Sequence, residues 1–434
     1  MYPNVYFFSF GCKVNLYETE NIRENFIKSG FSAAENEKNA GIFIINTCTV
    51  TDSGDGKFFK LLRRLRREYP AAIIAAVGCL PQAFPEKLID ADIVCGTKNR
   101  AALPEIVVNF LYNNSKIIQI EEYANGEIFE PMSNTGGENR TRAYLKIQDG
   151  CNCGCAYCII PKSRGSFRSK TTTDIIAETA HFRDKGCKEI VLTGINLAFW
   201  GVEWGKRLSE AVLAVSKTAP NMRIRLGSLE PERLDPIETE KLFAIDNLCP
   251  HFHLSLQSGC KKTLAAMGRR YTPAEFEELF LRLRKLSPNC GMTTDIMAGF
   301  PGETESDFAE SNDFVSKLPF SDIHVFAYSK REGTKAAAMA EQVPEPEKHR
   351  RAAVLRKTGE ALQKKFLNAQ IGTIQNVLFE KEKTDGIPNG YTENYTCVKL
   401  CEKTVQSMRN ELLRVKITAA ESDFCRAELL PKGK

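Results

Sequence analysis

Cys151, Cys155 and Cys158 form a CxxxCxxC array within the stretch DGCNCGCAYCIIPKSRG, and three thiolates that close together suit a cubane iron-sulfur cluster. A structural zinc site or an electron-transfer cluster normally recruits four protein ligands and leaves nothing open. Three ligands leave one iron with a free coordination position, where a small chelating molecule can bind and react. A zinc knuckle is the competing use of such spacing.

The array resembles that of the radical S-adenosylmethionine enzymes. By that resemblance the open iron chelates the amino and carboxylate groups of S-adenosylmethionine. A reduced cluster then passes an electron into the sulfonium and releases a 5'-deoxyadenosyl radical. Tyr157, directly before the third cysteine, occupies the aromatic position usual in that superfamily and is expected to pack near the adenine.

A second group of cysteines is dispersed. Cys12 in SFGCKVN, Cys48 in INTCTVT and Cys79 in AVGCLPQ each end an apolar run: VYFFSF, GIFIIN and AAIIAAVG. Continuous apolar runs of this length read as strands buried on both faces of a parallel sheet. Amphipathic segments at residues 16–30 and 57–69 read as helices, so the order is strand, helix, strand, helix, strand. Ligands gather at the carboxyl ends of strands in an open parallel sheet, and all three cysteines fall at such ends. A lone cysteine there would read as a buried, inert thiol; the shared placement favours convergence.

GCKVNLYETE, NTCTVT, VGCLPQ, DGCNCGCAYCIIPKSRGSFRS, SLQSG, GFPGET and REGTKAAAMAEQVP occur in the order and spacing of the methylthiotransferase family, and the similarity covers nearly the whole chain. The resemblance implies that Cys12, Cys48 and Cys79 hold a second 4Fe-4S cluster, also with one open iron, where a sulfur is methylated before transfer. FGCKVNLYETE is similar to the branch acting on threonylcarbamoyladenosine. The isopentenyladenosine branch more often has glutamine after the first cysteine, and the branch acting on a ribosomal-protein aspartate has proline.

A chain of 434 residues with 43% hydrophobic content is long enough for two or three globular domains. Residues 1–115 are expected to form an α/β domain with a doubly wound parallel sheet, residues 116–138 a polar linker, and residues 139–345 a partial (β/α)6 barrel. Residues 346–370 read as a helical connector, and residues 371–434 as a small β-barrel resembling the TRAM RNA-binding module. Fifteen cysteines in a chain with no apolar run of eighteen residues and no secretory leader pattern argue against a disulfide framework and for the cytoplasm. Nine of them, Cys95, Cys153, Cys187, Cys249, Cys260, Cys290, Cys397, Cys401 and Cys425, read as core or surface thiols. A net charge of +5 is too weak to prove nucleic-acid binding.

The segments AYLKI, EIVLTGI, RIRLGSL, HFHLSLQ, TTDIMAGF and DIHVFAY recur at strand-helix spacing and supply the six barrel strands. The cysteine array follows the first. Gly194, Asn196, Ser228, Glu230, Ser255, Gln257, Gly299 and Gly302 lie at later strand ends, and for these the resemblance implies contacts to S-adenosylmethionine; ordinary loop chemistry is the alternative. Arg63, Arg64, Arg66 and Arg67 crowd one helix and could meet phosphate, or could simply form a solvated face. Arg164 and Arg168 could clamp an anionic substrate or cofactor group. In the tail, Tyr391, Asn394 and Tyr395 of GYTENY could offer stacking and hydrogen-bonding groups to unpaired bases or belong to a solvated turn.

The expected activity is conversion of N6-threonylcarbamoyladenosine at position 37 of tRNA to its 2-methylthio form, using two 4Fe-4S clusters and two S-adenosylmethionine molecules per turnover. The expected partners are the tRNA anticodon stem-loop, an electron donor such as flavodoxin or ferredoxin, and a sulfur donor, with the enzyme a monomer away from membranes. The rival readings are methylthiolation of isopentenyladenosine-37, methylthiolation of a ribosomal-protein aspartate, and a non-catalytic iron-sulfur RNA-binding protein.

Overall fold

A computed structural model describes residues 2–49, 52–124, 126–134, 141–380, 386–402 and 407–431. The chain divides into two compact units, one of residues 1–137, 146–170 and 329–337, the other of residues 138–145, 171–328 and 338–434.

The first unit is built on a five-stranded parallel sheet of Val5–Ser9, Ile42–Thr47, Ile73–Gly78, Ile93–Cys95 and Ile117–Gln119, in that order. Every residue of Ile42–Thr47 and Ile73–Gly78 is buried, as strands covered on both faces require. Alternation of side chains divides the apolar cover. Phe43, Ile45, Ile74 and Ala76 pack with Phe58, Leu62 and Leu65 of the helix Asp52–Glu68. Ile42, Ile44, Ala75 and Val77 pack with Ile22 and Phe26 of the helix Lys13–Lys28. Each fully buried side chain of this size contributes roughly 1.5–3 kcal/mol, so the sheet is a stiff base for the residues at its carboxyl edge.

The segment expected as a linker differs from that reading. Asn114 adopts a left-handed conformation (φ 44°) that ends the helix Leu103–Asn113 and turns the chain back into the fifth strand. Beyond it, Glu130 binds Arg100, and the carbonyls of Met132 and Ser133 accept from Tyr17 and Asn21. Its polar composition reflects side chains engaged with the domain.

In the second unit the barrel strands are Arg142–Lys146, whose last residue belongs to the first unit, then Glu189–Thr193, Arg223–Leu226, His251–Gln257, Gly291–Ala298 and Asp322–Ala327. They form two sheets: Arg223–Leu226 pairs with Glu189–Thr193, and Ser228–Leu229, one glycine further on, pair with His251–Gln257. Three helices, Thr172–Asp184, Pro273–Leu286 and Glu305–Lys317, start on a threonine whose hydroxyl accepts a backbone N–H from the first turn. The helix Glu345–Asn368 leads to a closed barrel of Ile374–Phe379, Asn389–Tyr391, Cys397–Leu400, Cys425–Leu429 and Leu412–Ala420. Closure leaves this small sheet no free edge, and Val377, Phe379, Val398, Val415, Ile417 and Ala427 fill it.

Candidate iron-sulfur site

Cys12, Cys48 and Cys79 come together at the carboxyl edge of the first unit's sheet. Cys12 caps the helix Lys13–Lys28, Cys48 directly follows Ile42–Thr47, and Cys79 opens the short helix Cys79–Ala83. The three strands that carry them are neighbours, about 4.8 Å apart. Gly11 has φ +101°, and a methyl group there would overlap the Cys48 Cβ and stand 3.0 Å from its sulfur. Gly78 has φ +102°, and a side chain there would lie 2.7 Å from the Thr47 carbonyl. Both glycines permit turns that no other residue could make in that space.

Asn15 ties the trio to the sheet. The Cys12 thiol donates to Asn15 Oδ1 across 3.2 Å, Asn15 Nδ2 donates to the Thr47 carbonyl at 2.8 Å, and Asn46 donates to the Asn15 carbonyl at 3.1 Å. Cys12 is exposed, Cys48 half-buried and Cys79 buried, so the trio opens to solvent on one side. Burial pushes the Cys79 thiol pKa up, and the Arg164 guanidinium opposes that shift. Three thiols around a glycine-lined space, with no disulfide at any of the chain's cysteines, fit a cubane with one open iron.

The second array lies in the same unit. Cys151, Cys153, Cys155 and Cys158 occupy the loop between Gln148–Asp149 and the helix Ile160–Arg164, and all are half-buried. Gly150 (φ +69°) and Gly154 (φ +78°) let it curl. The Cys151 amide donates to the Gly165 carbonyl at 2.9 Å, and the Cys158 amide to the Cys155 carbonyl at 3.1 Å. The half-buried Tyr157 lies on the same loop.

Beneath the two arrays is a buried ion cluster. The Glu18 carboxylate meets Arg100, Lys146 and Arg164, each at 2.7 Å, while Asp149 meets Lys146 at 2.7 Å and Arg164 and Arg168 at 3.0 Å. Burial alone would raise both carboxyl pKa values, but the surrounding cations hold them well below the usual range. Arg164 and Arg168 are therefore not free clamps for a substrate anion. Arg164 is wholly buried with its Nε donating to the Cys79 sulfur at 3.2 Å, and Arg168 binds Asp149 and the Arg164 carbonyl. On the helix Asp52–Glu68, Arg64 pairs with Glu37 and Arg66 with Asp92, while Arg63 and Arg67 are the exposed arginines, Arg67 with a surface contact to Glu68 at 3.2 Å.

In the second unit the remaining candidates separate. Ser228 is exposed, Ser255 and Asn196 are buried, and Glu230 is paired with Arg269, which also donates to the Ser255 carbonyl at 3.0 Å. Burial raises the Glu230 pKa against the pull of that arginine. Gln257 is left-handed (φ +69°), as are Gly299 and Gly302, and the Gly299 amide donates to Glu303 at 2.9 Å. Gly194 precedes Asn196 in the turn after Glu189–Thr193. Two acid-histidine contacts in the same sheet carry no simple sequence signature: Asp295 lies 3.2 Å from His253 and 3.3 Å from His324. A period-two reading of adjacent strands, with His253 beside Thr293 and Asp295 beside His324, is the signal that finds them.

The GYTENY loop is engaged within its own unit. Tyr391 and Tyr395 stack at 4.7 Å, Arg142 lies over the Tyr391 ring, and Arg225 over Tyr395. Asn394 is buried, donating to the Asn289 carbonyl and to Gln370, both at 3.1 Å. These contacts tie the small barrel to the strands, and stacking on a base would first require breaking them.

Comparisons with known proteins match the two segments in which the cysteine arrays lie. The model of the family described as uncharacterized protein family UPF0004 matches residues 4–96, and that of the radical SAM superfamily matches residues 145–315. Among solved structures, the radical S-adenosylmethionine methyltransferase TsrM from Kitasatospora setae has a similar fold, with a TM-score of 0.54, 13% identity and 75% of each chain covered. The superfamily match over residues 145–315, together with the fold, defines a radical S-adenosylmethionine enzyme. The threonylcarbamoyladenosine tRNA methylthiotransferase MtaB of Bacillus subtilis is 35% identical over 428 residues, covering 96% of this chain and 94% of that protein. Its counterpart in Thermotoga maritima is 34% identical, covering 98% and 97%, and the tRNA-2-methylthio-N(6)-dimethylallyladenosine synthase of Carboxydothermus hydrogenoformans is 34% identical, covering 88% and 89%. The chain belongs to the radical SAM methylthiotransferase family. No helix among the described residues is long and apolar enough to cross a membrane.

Proposed function

We propose that this chain is a tRNA methylthiotransferase that converts C2–H of N6-threonylcarbamoyladenosine at position 37 to C2–SCH3. The observation that carries it is the pair of three-cysteine arrays in one sheet-based unit, Cys12, Cys48 and Cys79 at strand ends and Cys151, Cys155 and Cys158 on one loop, a ligand number that leaves one iron of each cubane open. Cys151, Cys155 and Cys158 would hold the radical cluster and Cys12, Cys48 and Cys79 the auxiliary cluster. When bound, these groups supply reductive cleavage of S-adenosylmethionine and delivery of a methylated sulfur. The protein's own work is positioning: Gly11 keeps space beside Cys48, Gly78 lets the chain turn against Thr47 into Cys79, and Asn15 and Arg164 fix Cys12 and Cys79.

The threonylcarbamoyl group carries a carboxylate that the isopentenyl group lacks, so its recognition calls for a cation. A charge-assisted contact is worth roughly 1.5–3 kcal/mol, about tenfold or more in preference. Arg63 and Arg67 are the exposed arginines of the basic helix and are our candidates for the RNA. The enzyme would act in the cytoplasm as a monomer, with an electron donor such as flavodoxin or ferredoxin and a separate sulfur donor.

Anaerobic reconstitution tests the clusters: iron and sulfide near about eight per chain fit two cubanes, and about four would remove the second. Cys155→Ala is expected to abolish 5'-deoxyadenosine formation. Cys48→Ala is expected to keep it and lose methylthiolation. Incubation with tRNAs bearing each modified adenosine, followed by nucleoside mass spectrometry, tests the substrate. Product on the isopentenyl tRNA alone, or on a ribosomal protein, would overturn the assignment.

A further inference from the structure

Arg164 uses its whole guanidinium in one place. Nη1 donates to Glu18 at 2.7 Å and to Asp149 at 3.0 Å, Nη2 donates to Glu18 at 2.9 Å and to Asn15 Oδ1 at 3.4 Å, and Nε donates to the Cys79 sulfur at 3.2 Å. Those contacts account for all five N–H donors of an arginine. Two carboxylates behind the fork fix its plane, so the Nε–H is aimed at the sulfur rather than merely near it. The reach extends further, because the Asn15 Oδ1 that accepts from Nη2 also accepts from the Cys12 thiol.

We propose that Arg164 is a positioning residue for the auxiliary cluster, which its hydrogen bond to the Cys79 sulfur makes easier to reduce. This rests on the reading of Cys12, Cys48 and Cys79 as cluster ligands. A donor and a positive charge at a ligand sulfur stabilise the reduced, more negative cluster and raise its potential. Arg164 ends the helix Ile160–Arg164 that follows Cys158, so the segment anchoring the radical array also sets the electronic environment of the other.

The test uses the full chain with Cys151, Cys155 and Cys158 changed to Ala, so that only the auxiliary cluster assembles. About four irons per chain are expected, and their absence would sink the two-cluster reading and this inference with it. At that iron content, a redox titration followed by electron paramagnetic resonance compares Arg164 with Arg164→Lys, which keeps the charge and loses the Nε–H. At a common applied potential the lysine variant is expected to show an at least tenfold lower reduced-to-oxidised ratio, which is about 59 mV for a one-electron couple. An unchanged midpoint overturns the proposal. A second measurement needs no change at Arg164: in protein grown with 15N-arginine, the reduced cluster is expected to show a 15N coupling by electron spin echo spectroscopy. Its absence would overturn the proposal whether or not the lysine variant folds.

Discussion

Glu18 and Arg164, 146 residues apart in the chain, face each other through two charge-assisted hydrogen bonds of 2.7 and 2.9 Å with both side chains wholly buried. The carboxylate also receives Arg100 and Lys146, so it is paired with three cations at once. Glu18→Gln keeps the shape and removes the charge. Leaving buried cations without their anion typically costs about 3–5 kcal/mol. The midpoint of urea unfolding is expected to fall accordingly, and a variant as stable as the wild type would show that the ion cluster is not structural.

Gly11→Ala should separate the two arrays. The added methyl would overlap the Cys48 Cβ, and φ +101° already disfavours any side chain. Cys48 must then move, while the loop of Cys151, Cys155 and Cys158 is anchored elsewhere through the Gly165 carbonyl. Iron is expected to fall from about eight per chain to about four, with 5'-deoxyadenosine formation retained and methylthiolation lost. Full iron content in the alanine variant would mean the space beside Gly11 is not needed.

The strand ends that carry Cys12, Cys48 and Cys79 were legible because each cysteine closes an apolar run, a local signal. The same holds for the six barrel segments. What stayed hidden were pairings made at a distance. Nothing near Glu18 announces Lys146, 128 residues away, and an arginine read in isolation is expected on the surface, where Arg164 is not. Ile117–Gln119, Asn389–Tyr391 and Cys425–Leu429 are too short or too interrupted for periodicity to detect, and tertiary pairing alone makes them strands. The tyrosines of GYTENY look like base-stacking groups by composition, and only the arginines of distant strands reveal their packing role.

Acid should weaken the second unit through Glu189. Its carboxylate is buried against Arg142 at 2.9 Å, Arg223 at 2.5 Å and Arg225 at 3.0 Å. Burial alone would raise its pKa, but Arg225 and Arg223 overcome that and bring it from 4.5 down to about 2. Because the folded value is the lower one, the stabilisation is present above pH 4.5 and is lost as pH falls towards about 2. A shift of this size corresponds to about 3 kcal/mol. The stability gap between wild type and Glu189→Gln, followed by circular dichroism, is expected to narrow across that window. A gap independent of pH would exclude Glu189 as the titrating group.

Gly291 controls how closely the small barrel seats on the larger one. A side chain there would overlap the Asn394 carbonyl oxygen and stand 3.1 Å from its carbon and 3.3 Å from the His251 ring, so backbone on one side or the other must shift. The displaced segment carries the Thr392 and Glu393 carbonyls, which accept from Arg225 at 3.1 and 3.0 Å, and the stacked Tyr395. Gly291→Val therefore strains one contact and loosens several. Overpacking of this kind costs about 1–3 kcal/mol, with the loss concentrated where the barrel docks. Limited proteolysis is expected to cut faster around residues 369–373, between the helix Glu345–Asn368 and the strand Ile374–Phe379, releasing the small barrel. Iron content should stay at the wild-type level, because every cysteine of the two arrays belongs to the first unit. Unchanged cleavage would show that the barrel is held by contacts other than this loop, and loss of iron would show that the two units do not respond independently.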